Sequence, residues 1–204
     1  ITLDGKTSVA VDASGVTKII GNATELKAIF KAATATTPTI TLAATVDVTV
    51  TGTVSAADVN TLADATDGAV TADVTGSAAA LNAALKDVKS SDDITVTLTG
   101  TTAAAKDLKE LDLKTTVDAS SIKTITGDSA DVISALANAT LADNVAATVT
   151  GTVTIANIAT IKGIAATGVI KATVEGTVTN LAGLASSATD LLTLKITDAT
   201  ATAV

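Results

Sequence analysis

The sequence predicts an α/β repeat, a solenoid of about seven to eight strand–helix units with a parallel sheet on one face and short helices on the other. Three observations predict it. A Gly closes a Thr/Val-rich strand seven times, at Gly21, Gly52, Gly76, Gly100, Gly127, Gly151 and Gly176, and Asp198 falls in the same phase; successive spacings are 31, 24, 24, 27, 24, 25 and 22 residues, the range of small strand-plus-helix repeats. The residues before each closing position alternate apolar and polar. The residues after it carry a cap followed by aliphatic side chains at helical spacing.

The strand signal is the most regular. Two residues before each closing position stand Ile19, Val50, Val74, Leu98, Ile125, Val149, Val174 and Ile196, all aliphatic. One and three residues before it the side chains are mostly Thr or charged. A period of two means one buried and one wet face. A strand wetted on one face needs helices on the other face only, and parallel strands with short links require right-handed crossovers. An all-β solenoid or sandwich is the alternative architecture.

After Gly52, Ser55 is the expected N-cap for a helix carrying Val59 and Leu62. After Gly127, Ser129 is expected to cap Val132, Ile133 and Leu136. After Gly151, Thr154 precedes Ile155, Ile158 and Ile161, with Gly163 as a stop. After Gly176, Thr179 precedes Leu181 and Leu184. The closing Gly is expected where a side chain would obstruct the turn. Asp67-Gly68 and Ser90–Asp93 read as turns back into strands, and Asp4-Gly5 as a hairpin. The segment around Pro38 accounts for the longest spacing. "VDASGVTKIIG" from Val11 matches "VDASSIKTITG" from Val117, which suggests an internal duplication, 11–116 and 117–204, within a single repeat segment spanning 1–204. The sequence opens on Ile1 without a signal-peptide pattern and ends on a strand without a helix, and is expected to be a fragment of a longer chain.

Composition narrows the function. Hydrophobic residues make up 47%, mean hydropathy is +0.51, and Phe30 is the only aromatic. There is no Cys, Met, Trp, Tyr, His, Arg or Gln. Without His, Cys, Tyr and Arg most acid–base and nucleophilic schemes cannot be assembled, so the chain is read as no enzyme. A net charge of −8 and a pI near 4.3 leave no basic stripe for nucleic acid. No apolar run reaches membrane-spanning length, so no membrane insertion is expected.

Two candidate sites remain. Asp12, Asp67, Asp92, Asp93 and Asp118 lie in regularly spaced turns and are candidate calcium ligands, although EF-hand spacing is missing; ordinary capping and turn roles explain them equally. Otherwise no cofactor is expected. The second candidate is a Thr-rich sheet face. Thr49, Thr97, Thr124, Thr148 and Thr173 are expected to form one ladder, and Thr51, Thr75, Thr99, Thr126 and Thr150 another. Such a face can order water or contact a glycan, ice or a host surface; plain strand propensity also accounts for it.

"VTGTVSAADVNTL" and "ITGDSADVISAL" resemble the Thr-, Ala-, Val- and Asp-rich repeats of very large bacterial surface-layer and secreted cell-surface proteins. The resemblance covers most of the chain in short phrases and brings no site residue with it. It implies an extracellular, bacterial cell-surface location, array or coat building, and sometimes calcium, but the Gly-Gly-x-Gly-x-Asp calcium repeat is missing. The expected function is structural: a building block of a surface layer, sheath, filament or giant adhesin, with itself or sister repeat segments as partners. The alternative is a binding module using the Thr face, with a surface glycan among its targets.

Overall fold

The computed structural model describes residues 6–164 and 168–200. Its described residues form a mixed α/β structure with seven helices, and the strand pairs with a defined register are parallel. The chain divides into two compact units. Unit 1 comprises residues 1–76, 80–97 and 113–116; unit 2 comprises 77–79, 98–112 and 117–204.

Unit 1 carries β1 (Val11–Ala13), β2 (Lys18–Gly21), α1 (Ala23–Ala33), β3 (Ile40–Leu42), β4 (Asp47–Val50), α2 (Ala56–Ala65), β5 (Val70–Gly76), most of α3 (Ala78–Ala84) and nearly all of β6 (Asp93–Leu98). β1 pairs with β3, and β2, β4, β5 and β6 lie side by side in that order. The alternation read from sequence decides which side chains enter the core. In β5, Val70, Ala72 and Val74 are buried while Asp73 and Thr75 are exposed. Leu26 and Phe30 of α1 and Val59 and Leu62 of α2 close over that apolar face.

Unit 2 carries β7 (Thr102–Ala104), α4 (Ala105–Asp112), nearly all of β8 (Thr116–Ala119), β9 (Thr124–Gly127), α5 (Ser129–Asn138), β10 (Thr140–Leu141), β11 (Ala146–Val153), α6 (Ile155–Ile164), β12 (Ile170–Gly176), α7 (Val178–Ala182) and β13 (Leu191–Ile196). β8 pairs with β10, and β7, β9, β11, β12 and β13 lie side by side. Leu108, Leu111, Ile125, Val132, Ile158, Ile161 and Val174 fill the core.

The helix starts follow capping chemistry. Ser55 accepts the Asp58 amide as expected. Asn22 and Glu25 form a reciprocal capping box on α1, satisfying two backbone donors that no helical carbonyl can reach. Thr154 accepts the Asn157 amide at 3.2 Å. Two expected caps are displaced. Asp128, not Ser129, caps α5, and Thr177, not Thr179, caps α7; in each case the residue nearer the strand already has the extended backbone from which its oxygen reaches the third helical amide. Gly163 does not stop α6, which runs to Ile164. Ser55→Ala is expected to lower stability by about 1 kcal/mol, readable as a shift in denaturant midpoint; an unchanged midpoint would show that the cap carries no load.

The short strands β1, β3, β8 and β10 were not expected from sequence. Each "VDAS" phrase is a short strand followed by a turn in which the Asp side chain accepts the amide two residues on, Ser14 to Asp12 and Ser120 to Asp118. The expected hairpin at Asp4-Gly5 lies outside the described residues.

Candidate functional site

The Thr face exists as a surface but not as the two ladders expected. Thr51, Thr75, Thr97, Thr99, Thr126 and Thr150 are exposed, while Thr49, Thr124, Thr148 and Thr173 are half-buried between neighbours. In unit 2 the register places Thr126 beside Thr148, and Thr148 beside Lys171, which pairs with Leu191. Thr124 sits between Thr102 and Ala146, and Thr173 between Thr152 and Thr193. In unit 1, Thr49 sits between Ile20 and Thr71. Members of the two expected ladders are therefore neighbours, and charged or apolar residues interrupt each row.

The displacement has a physical cause. The closing glycines are of two kinds. Gly52, Gly100 and Gly151 have positive φ, between 74° and 92°. Gly21, Gly76, Gly127 and Gly176 end their strands with ordinary φ, and at Gly76 the Leu81 side chain already lies 3.1 Å from where a Cβ would sit. Gly127 pairs with Val149, not Gly151, and Gly21 with Val50, not Gly52. A bulge in β11 between Thr148 and Thr152 adds a further shift. Counting back from each glycine therefore misplaces the rows by two residues.

Most of the candidate calcium ligands serve as turn formers. Asp12 is exposed and accepts both the amide and the hydroxyl of Ser14, at 2.9 and 2.6 Å; these bonds, the hydroxyl first, hold its carboxyl below the usual range. Asp118 accepts the Ser120 amide at 3.0 Å, with the same downward direction from that bond. Asp67 is exposed in the turn before β5, its amide donating to the Ala44 carbonyl. Asp93 is exposed at the start of β6. Asp92 differs: it is buried, one carboxylate oxygen accepting the Val70 amide at 2.9 Å and the other the Lys89 amide at 2.8 Å. A cation on Asp92 would have to displace these bonds. Among the described residues no group of three or more acidic side chains gathers as a ligand set.

The arrangement around Asp92 recurs in unit 2. Asp190 accepts the Ile170 amide at 3.1 Å on one oxygen and the Ser187 amide at 2.8 Å on the other, which also takes the Lys162 ammonium at 2.7 Å. Burial pushes this carboxyl up, but the Lys162 bond and the two amides outweigh it and bring it down to about 2. Each Asp thus clasps the start of the neighbouring strand to the turn ahead of its own strand. Sequence reading found Asp92 only as a turn residue and missed Asp190, because the donors at Val70 and Ile170 lie 22 and 20 residues away. The available signal was an Asp directly before each strand, in "DDITVTL" and "DLLTLKI".

Lysines make further long-range ties. Lys27 bonds Asp58, Lys109 bonds Asp131 at 2.8 Å, Lys89 reaches the Ala63 and Thr66 carbonyls at 2.9 and 2.5 Å, and Lys114 reaches the Leu85 carbonyl at 2.6 Å. Each joins segments more than 20 residues apart, so these lysines tie one helix or turn to the next. A groove of about 370 Å³ lined by Thr154, Ile155, Ala156, Glu175, Gly176 and Asn180 is open, and its carboxylate pairs with Lys195. Among the described residues no helix is long and apolar enough to cross a membrane. Comparison with known protein families, with curated proteins and with solved structures gives no match.

Proposed function

We propose that this chain is a structural, non-enzymatic protein of the bacterial cell exterior, a solenoid segment that builds a surface layer, sheath, filament or giant adhesin by stacking and association with itself or sister segments. One observation carries the reading: the same long-range and turn contacts recur. Asp92 and Asp190 make the same clasp, Asp12 and Asp118 the same turn, and the strand entries at Gly68 and Gly168 the same close backbone approach. A chain built by repeating one layer has layer faces that fit further layers, which is how repeat proteins extend. The exposed aliphatic residues Leu191, Leu194 and Ile196 of β13 and Ile20 of β2 add apolar surface of the kind that drives association.

A glycan- or ice-binding role for the Thr face is less well supported, because Lys171, Leu191, Glu175 and Lys195 break its rows. Sedimentation velocity over a hundredfold concentration range, with and without calcium, tests the proposal. Larger species that grow with concentration are expected; a monomer under every condition, together with glycan binding or thermal hysteresis, would move the function to the Thr face.

A further inference from the structure

The two Asp clasps are alike in their backbone bonds, Asp190 adding the Lys162 ammonium, and differ in what lies over the strand they hold. Behind Asp92, Ile94, Val96 and Leu98 of β6 are 1%, 0% and 3% exposed. Behind Asp190, the equivalent Leu192 of β13 is half-buried, and Leu194 and Ile196 are each 52% exposed. Opening β6 breaks a sealed core. Opening β13 uncovers only the half-buried Leu192 besides what is already wet, so what holds it is its ladder to β12, the exposed Lys195–Glu175 pair at 2.9 Å, the bond of Asp198 just past its end to the Val178 amide at 2.7 Å, and the clasp. The Asp190 side chain is 2% exposed and joins three elements at once: the start of β12 through Ile170, the turn before β13 through Ser187, and α6 through Lys162.

We propose that Asp190 is an acid-released clasp, whose protonation frees β13 as one strand while β9, β11 and β12 stay folded. A protonated carboxyl keeps one acceptor oxygen and loses its charge, so it cannot hold two amides and an ammonium together. The charged groups on and beside the surrounding elements are Lys162 of α6, Lys171 and Glu175 of β12, Lys195 of β13 and Asp198 just past β13; α7, β11 and residues 183–189 carry none. The other carboxylates near the clasp are Glu175, paired with Lys195, and Asp198, which accepts the Val178 amide at 2.7 Å. The folded-state value lies below the ordinary one, so the clasp is at full strength above about pH 4 and is lost as pH falls toward about 2. A fall from 3.8 to about 2 corresponds to a roughly sixtyfold tighter closure by the ionised form.

Hydrogen exchange read strand by strand tests this on the unaltered protein. Between about pH 4 and pH 2, protection of the 191–196 amides is expected to fall by tens of fold while that of β9 and β11 changes by less than about threefold. Asp190→Asn should lower β13 protection at neutral pH and flatten its acid dependence, and Glu175→Gln and Asp198→Asn should each leave that dependence in place. The proposal is overturned if β13 loses protection in step with β9 and β11, if its protection does not vary with pH, or if Glu175→Gln or Asp198→Asn removes the transition.

Discussion

Gly168→Ala is expected to destabilise the protein by about 3 kcal/mol or more, a larger effect than most single-methyl additions. A Cβ at Gly168 would overlap the Val145 carbonyl oxygen, and one at Gly68 would overlap the Val46 carbonyl and lie 2.6 Å from the Thr45 carbonyl oxygen. Both glycines stand just before a parallel strand, β12 and β5, where the chain passes against the entry of the neighbouring strand, β11 and β4. Backbone cannot yield as a flexible side chain can, so relief would require moving one strand entry and the ladder behind it. Gly68 is pinned further: its amide donates to the Thr66 hydroxyl at 3.0 Å, and that hydroxyl lies 2.7 Å from the Val46 carbonyl oxygen. Urea denaturation of the two alanine variants reads the effect. A loss under about 0.5 kcal/mol for either would mean that the strand entries yield to an added methyl group.

The second large effect is expected at Asp92. Asp92→Ala leaves the Val70 and Lys89 amides without their acceptor at a site 8% exposed. Each buried amide without a partner costs about 1–3 kcal/mol, so a total near 3 kcal/mol is expected. Asp92→Asn retains one acceptor oxygen and should lose about half as much. Thermal or denaturant midpoints of the two variants check the order. Equal losses for Asn and Ala would point to the charge, rather than the pair of acceptor oxygens, as what the site requires.

Much of the fold was legible because it rests on local pattern. The alternation that buries Val70, Ala72 and Val74 needs only a period of two, and the helices over 56–65, 129–138 and 155–164 announce themselves through aliphatic spacing and a nearby cap. What was illegible depends on contacts distant in sequence. β1, β3 and β10 are two or three residues long, too short to show a period, and exist because a parallel partner lies beside them. The Thr register fails because Gly52 lies past the end of β4 and Gly151 in the bulge of β11, both at positive φ, while Gly21 and Gly127 end strands with ordinary φ, a distinction that the letter G does not carry. Asp92 reads only as a turn residue, and Asp190 does not stand out at all, because a carboxylate's partners, not its neighbours in sequence, make it a clasp.

Association through repeated layers is tested most directly by electron microscopy of the purified chain at rising concentration. Ordered sheets or filaments with one regular repeat are expected, lost when Leu194 and Ile196 are replaced by Lys in a variant that keeps its circular dichroism. Dispersed single particles at every concentration, with or without calcium, would contradict a role in building an assembly.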